Sequence, residues 1–217
     1  MEVNKLLDTL IVGAGFAGMY SLYKQKLDGF NAEIFEQGDG VGGTWYWNRY
    51  PGARCDIESM DYSYSFSKEL QQEWNWKDKY GTQPELLEYA NHVCNKFNLK
   101  ENINFNTKII KAKFNKENNK WLVETNDNQL IECKYFILAT GNLSTPNTPN
   151  INGIKNFKGN IYHTGAWPKK MPDFNGRTIG IIGTGSSGVQ SIPIIAETAK
   201  KLLVFQRTPN FSLPARH

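Results

Sequence analysis

The sequence predicts an α/β protein made of two Rossmann-like dinucleotide-binding domains. Three observations predict it. The apolar run Thr9-Leu10-Ile11-Val12 leads directly into Gly13-Ala14-Gly15-Phe16-Ala17-Gly18. A second run, Ile179-Gly180-Ile181-Ile182, leads into Gly183-Thr184-Gly185-Ser186-Ser187-Gly188. Behind each glycine cluster come a helical stretch and another short apolar strand, the order of a parallel βαβ unit.

Taken in order, the first unit continues with a helix from about Phe16 to Leu27 and a strand over Ala32-Glu33-Ile34-Phe35-Glu36. Residues 38–80 are rich in Gly, Trp, Tyr and Asn without periodicity. They read as a long ordered loop, because so many aromatics need a surface to pack on, and loops of that length are usually functional. A helix follows from about Pro84 to Phe97. Thr82 and Glu85 have capping-box spacing, and Leu86, Ala90, Val93 and Phe97 share one face. His92 and Cys94 on this helix read as ordinary exposed or packed residues. Strands near 103–114, 121–125 and 130–138, separated by asparagine-rich turns, read as an antiparallel meander inserted in the first domain. Residues 142–152 are rich in proline and asparagine and read as a connector. The second βαβ then runs from Arg177 through a helix over Ser187–Lys200, kinked at Pro193, to a strand over Leu202–Phe205. The expected organisation is a first dinucleotide-binding domain over 1–141, a linker over 142–176, and the truncated start of a second dinucleotide-binding domain over 177–217.

Composition narrows the classes. The chain has 217 residues, 40% hydrophobic and 21% charged, so it can bury a core. The net charge of +4 is scattered, with no run of five like charges, which argues against a nucleic-acid surface. No stretch approaches the ~18 apolar residues of a membrane span. Asp8 interrupts the N-terminal apolar run, which does not read as a signal peptide, so a cytoplasmic protein is expected. Three dispersed cysteines and three histidines give no disulfide framework, no C-x-x-C pair and no metal site.

The glycine loops carry the chemistry. In Gly13–Gly18 the first glycine permits the tight turn, Gly15 lets backbone approach a pyrophosphate, and Gly18 allows close helix–strand packing. The helix N-terminus adds unpaired N–H groups and partial positive charge. Glu36 ends the second strand, 18 residues after Gly18. A carboxylate there accepts ribose hydroxyls and repels a 2′-phosphate, so the first site fits FAD or NAD. At the matching place of the second loop stands Arg207, 19 residues after Gly188 and followed by Thr208. A guanidinium there can hold a 2′-phosphate bidentately, so the second site prefers NADP(H). Two such sites in one chain imply hydride transfer between NADPH and a flavin.

Two further segments point to a family. Phe157-Lys158-Gly159-Asn160-Ile161-Tyr162-His163-Thr164-Gly165-Ala166-Trp167-Pro168 fits F-x-G-x-x-x-H-x-x-x-W-P. Five fixed positions match by chance on the order of 10⁻⁷ per start at ordinary residue usage, so this fingerprint is specific. The other segment is Gly42-Gly43-Thr44-Trp45, leading to Tyr50-Pro51-Gly52-Ala53-Arg54-Cys55-Asp56. Together they resemble the Baeyer–Villiger monooxygenases, over essentially the whole chain. The sister flavin-containing N- and S-oxygenases typically lack the Trp-Pro pair.

The resemblance implies site residues. Gly13, Gly15, Phe16, Gly18, Glu36, Gly43, Thr44, Trp45, Tyr46, Trp47, Asp56, Tyr62 and Ile109 match FAD positions. Arg54, Cys55 and Asp56, with Gly183, Thr184, Gly185, Ser186, Ser187, Gly188, Val189, Gln190, Arg207 and Thr208, match NADP positions. Asp56 matches an aspartate that orients a catalytic arginine. That arginine is expected downstream of residue 217, with Arg216 excluded by position, so the chain reads as an N-terminal fragment inactive alone. His163 matches a linker residue, read as structural. Asn142 departs from the family pattern, which has Gln. The implied reaction uses FAD, NADPH and dioxygen to insert one oxygen atom beside a ketone carbonyl, giving an ester or lactone. An N- or S-oxygenase and a non-catalytic dinucleotide-binding fragment are the alternative readings.

Overall fold

The computed structural model of the chain describes residues 3–211. The described residues divide into two compact units, residues 3–46 with 87–144, and residues 47–86 with 145–211. The segment 47–86 thus belongs with the later part of the chain.

The first unit is a six-stranded mixed sheet. Its strands are β1 (Lys5–Val12), β2 (Ala32–Phe35), β3 (Ile103–Asn104), β4 (Ile109–Asn115), β5 (Lys120–Thr125) and β6 (Leu130–Leu138), in the order β3-β2-β1-β6-β5-β4. Helix α1 spans Phe16–Leu27, as the strand and glycine turn before it predict. β1 pairs parallel with both β2 and β6, while β4, β5 and β6 form the antiparallel meander. The meander is therefore continuous with the parallel sheet, because β6 takes part in both. β1 begins at Lys5, earlier than its apolar run, since Lys5 already pairs with Ile131.

The expected strand over 103–114 is two strands. Asn106 takes a left-handed φ of 56°, and the Thr107 N–H turns to the Glu36 carbonyl. Ile103 and Asn104 are thereby left beside β2, and Ile109 starts the meander. Alternation assigns the core. Ile11 and Ile34 pack with Met19, Leu22, Ala90 and Cys94 on one face, while Leu10 and Phe35 pack with Val123, Ile131 and Cys133 on the other.

In the second unit, the aromatic-rich segment holds two short helices, α3 (Ser59–Tyr62) and α4 (Lys68–Glu73); helix α2 (Thr44–Trp47) precedes them at the unit boundary. Helix α5 covers Gln83–Lys96 and crosses the unit boundary, its residues 87–96 belonging to the first unit. Glu85 does not close the expected capping box. Its Oε1 accepts the Lys77 backbone N–H at 2.6 Å instead. Strands β7 (Thr178–Ile182) and β8 (Lys201–Phe205) pair in parallel around helix α6 (Ser186–Ala196), which runs through Pro193 but stops short of the expected Lys200. Residues 197–200 turn back instead, and the Lys200 N–H meets the Arg177 carbonyl. Ile182 is 72% exposed and Phe205 55% exposed, so this two-stranded sheet buries little. No helix among the described residues is long and apolar enough to cross a membrane.

All three cysteines are buried free thiols. Burial raises the pKa of each and pushes that of Cys133 from 9.0 to about 11. Native protein at pH 8 should therefore resist alkylation at Cys55, Cys94 and Cys133, and all three should react after denaturation. Mass spectrometry counts the adducts; rapid native labelling of Cys133 would contradict its burial. The Cys133 proton is held more tightly in the folded state, so this thiol's contribution to stability falls as pH rises from 9.0 towards about 11.

Candidate functional site: two glycine loops

The first loop joins β1 to α1. Gly13 has φ 101°, and Gly15 is the N-cap of α1 with no side-chain cap on the first turn. Its N–H groups are therefore not satisfied by a capping side chain, as an anion site requires. A Cβ on Gly18 would lie 1.9 Å from the Gly13 carbonyl oxygen, so helix and loop touch backbone to backbone. The Gly42-Gly43 turn docks on the same loop. The Gly42 N–H donates to the Ala14 carbonyl at 2.9 Å, and a Cβ on Gly43 would lie 2.8 Å from Gly15 Cα.

Glu36 sits at this loop, 5% exposed. Its Oε2 accepts the Ala14 N–H and its Oε1 the Gly38 N–H, each at 2.8 Å. Each carboxylate oxygen retains a second lone pair for a ribose hydroxyl. Thr44 follows the turn, and Trp45 and Tyr46 are buried, with the Tyr46 hydroxyl on the Asp39 carboxylate. Phe16 packs on Tyr89, and Ile109 opens β4 opposite Thr125. The first loop, Glu36, Gly43, Thr44, Trp45, Tyr46 and Ile109 thus all lie in the first unit. Trp47, Asp56 and Tyr62, expected at the same cofactor, belong to the second.

The second loop repeats the first. Gly183 has φ 102°, and N-cap Gly185 (φ −71°, ψ −177°) is nearly identical to Gly15 (φ −79°, ψ −175°). A Cβ on Gly188 would lie 2.5 Å from the Gly183 carbonyl oxygen. Ser186 and Ser187 begin α6, and Val189 is exposed on it. Thr184 is fixed by two side chains, since Gln206 Nε2 reaches its Oγ1 at 2.8 Å and Asn210 Nδ2 its carbonyl at 2.7 Å. Arg207 and Thr208 follow β8 on the exposed surface.

The segment Arg54-Cys55-Asp56 lies between two supports. On one side, the strap 78–83 holds its backbone: Cys55 N–H to the Gly81 carbonyl at 2.9 Å, and Gln83 N–H to the Ala53 carbonyl at 2.8 Å. On the other, Gln190 of α6 bonds Asp56 Oδ1 at 3.0 Å. Asp56 itself is exposed. The strap and the Gln190 bonds were not foreseen from sequence. The only local signal for them is the Pro51-Gly52 turn that carries Arg54 to its place.

The fingerprint is a structural knot within the second unit. His163 Nδ1 accepts the Gly165 N–H at 3.0 Å, and Nε2 faces the Asn147 carbonyl at 3.2 Å. Both ring nitrogens are spent on backbone, which agrees with a structural histidine. Trp167 packs between Tyr162 and Phe174.

Two glycine loops of one backbone geometry, each between a strand and a helix of a parallel βαβ unit, are the arrangement of a dinucleotide-binding fold. The chain belongs to the pyridine nucleotide-disulphide oxidoreductase family, whose model matches residues 10–212. Its three cysteines are free and buried. It is 45% identical over 208 residues to a Baeyer-Villiger monooxygenase of Pseudooceanicola batsensis, covering 95% of this chain and 38% of the relative. It is 43% identical over 209 residues to the phenazine N-monooxygenase PhzNO1 of Lysobacter antibioticus, covering 96% and 38%. Among solved structures, an oxidised steroid monooxygenase bound to NADP superposes with a TM-score of 0.92 at 51% identity, over 97% of this chain and 40% of that one. The chain thus spans about two fifths of the length of these relatives.

Proposed function

We propose that the protein containing this chain is an FAD- and NADPH-dependent monooxygenase that inserts oxygen next to a ketone carbonyl. The observation that supports this reading is the pair of like-shaped glycine loops, with the Glu36 carboxylate bonded at the first and the Arg207 guanidinium following β8 of the second, charges that suit a free ribose and a 2′-phosphate. The loops fit the cofactors, because both are bare of side chains where a pyrophosphate would approach and both helices lack side-chain caps. When bound, FAD and NADPH supply the hydride and the activation of dioxygen. The chain's own residues bind and orient. Gly13–Gly18 and Glu36 hold the FAD pyrophosphate and ribose, and Gly183–Gly188 the NADP pyrophosphate. Arg207 pairs with the 2′-phosphate. Asp56 would present a carboxylate to orient a catalytic arginine supplied from outside these residues, which would stabilise negative charge developing on the substrate oxygen.

Arg207→Ala should raise KM for NADPH roughly ten- to hundredfold, the worth of a lost charge-assisted pair. NADH turnover should hardly change. Steady-state kinetics of the flavin-loaded, full-length protein with both coenzymes tests this, and equal losses would remove Arg207 from the 2′-phosphate site. The phenazine N-monooxygenase relative favours a second reading, N-oxygenation with the same two cofactors. Product analysis with a cyclic ketone and an N-heteroarene decides between them.

A further inference from the structure

Gln190 was expected at the nucleotide, but its side-chain amide is committed elsewhere. Its Oε1 accepts the Tyr50 hydroxyl at 2.8 Å and the Arg54 N–H at 3.4 Å. Its Nε2 donates to the Arg54 carbonyl at 3.1 Å and to Asp56 Oδ1 at 3.0 Å. An amide has two acceptor lone pairs and two donor hydrogens, so all four positions are used. The orientation is forced. A backbone N–H only donates and a backbone carbonyl only accepts, so a flipped amide would oppose both at Arg54. Gln190 therefore reads the Arg54 backbone as a neighbouring strand would, and has one donor left for Asp56.

Around this contact the fit is close. The Tyr50-Pro51-Gly52-Ala53 turn lies directly on α6, where a Cβ on Gly52 would come within 2.1 Å of the Gln190 carbonyl oxygen. Burial raises the Tyr50 pKa, with a bond from Ser187 opposing it and the Asp56 charge adding to it. The phenol therefore stays protonated and can donate to Gln190.

We propose that Gln190 is a positioning residue that locks the Arg54–Asp56 loop to the helix of the second glycine loop and sets the direction of the Asp56 carboxylate. This rests on the reading of Asp56 as a site residue. It assigns Gln190 a task other than touching the nucleotide. The helix that would carry the NADP pyrophosphate at its N-terminus then also carries Asp56, one turn further along.

The test uses the full-length protein with Gln190→Ala and Gln190→Glu. Without cofactor, Arg54 amide exchange measured by NMR should accelerate about tenfold or more in Gln190→Ala, the worth of one net hydrogen bond. The Cys55 and Ser59 amides, bonded to the Gly81 and Lys79 carbonyls, should keep their rates. Gln190→Glu keeps the shape but sets a carboxylate against Asp56. Its loop protection should be lost at neutral pH and return in acid, when the two carboxylates share a proton. In the flavin-loaded protein, kcat should fall about tenfold with the NADPH KM within about twofold. Unchanged Arg54 exchange in both variants, with a raised KM for NADPH, would make Gln190 a nucleotide ligand and overturn the proposal. Because the exchange arm uses no cofactor, it decides the lock even if the monooxygenase reading fails.

Discussion

Gly18→Ala should abolish stoichiometric flavin binding by the full-length protein. The added methyl would sit 1.9 Å from the Gly13 carbonyl oxygen and 3.1 Å from its carbon, where backbone cannot yield cheaply. Alanine in a helix gains about 1 kcal/mol over glycine, but overpacking against backbone costs roughly 1–3 kcal/mol or more. The clash wins, and α1 must move off the loop. That displacement carries the first-turn N–H groups away from a pyrophosphate, which is where the larger loss arises. Other folds with this motif accept alanine at the third position. Here the helix is too close. Flavin content per protein after gel filtration reads the result, and a fully yellow Gly18→Ala protein would show that α1 does not carry the cofactor. Gly188→Ala, with 2.5 Å to the Gly183 oxygen, should act in the same sense on coenzyme affinity and leave flavin in place.

The parts of this arrangement legible in sequence are the local ones. Phe16–Leu27 forms as predicted because an apolar run, a glycine turn, a helical stretch and a second strand follow one another in the order of a βαβ unit. β7 and β8 are legible for the same reason. The break between β3 and β4 was not, because one asparagine with positive φ carries it and Asn-rich turns occur throughout. The capping box at Thr82 misled, since its spacing says nothing of the Lys77 N–H that takes Glu85. The larger miss is non-local. Gln190 lies 134 residues from Asp56 and 140 from Tyr50 along the chain, and no periodicity records such a pairing. The motif indicated that Gln190 matters; only the fold shows which atoms it holds.

The same contact yields a second large effect. Gly52→Ala should detach the Tyr50–Asp56 loop from α6. The Ala53 N–H closes the turn onto the Tyr50 carbonyl at 3.1 Å, with Pro51 at the second position and Gly52 at the third with φ 76°. This is the pattern of a type II turn, which needs positive φ at that third residue. Alanine there costs about 1–2 kcal/mol in backbone strain. The methyl would also meet the Gln190 carbonyl oxygen at 2.1 Å and Ile194 Cγ1 at 3.1 Å, an overpacking cost of roughly 1–3 kcal/mol more. Gly176→Ala separates the two contributions, because Gly176 has φ 66° but nothing within 4 Å of its would-be Cβ. It should show the strain alone. The urea midpoint and the Arg54 amide exchange rate, measured on both variants, make the comparison. Gly52→Ala should lose about twice the stability of Gly176→Ala or more, and should lose Arg54 protection as well. Equal losses in the two variants, with Arg54 still protected, would mean that the loop does not depend on its seat against α6.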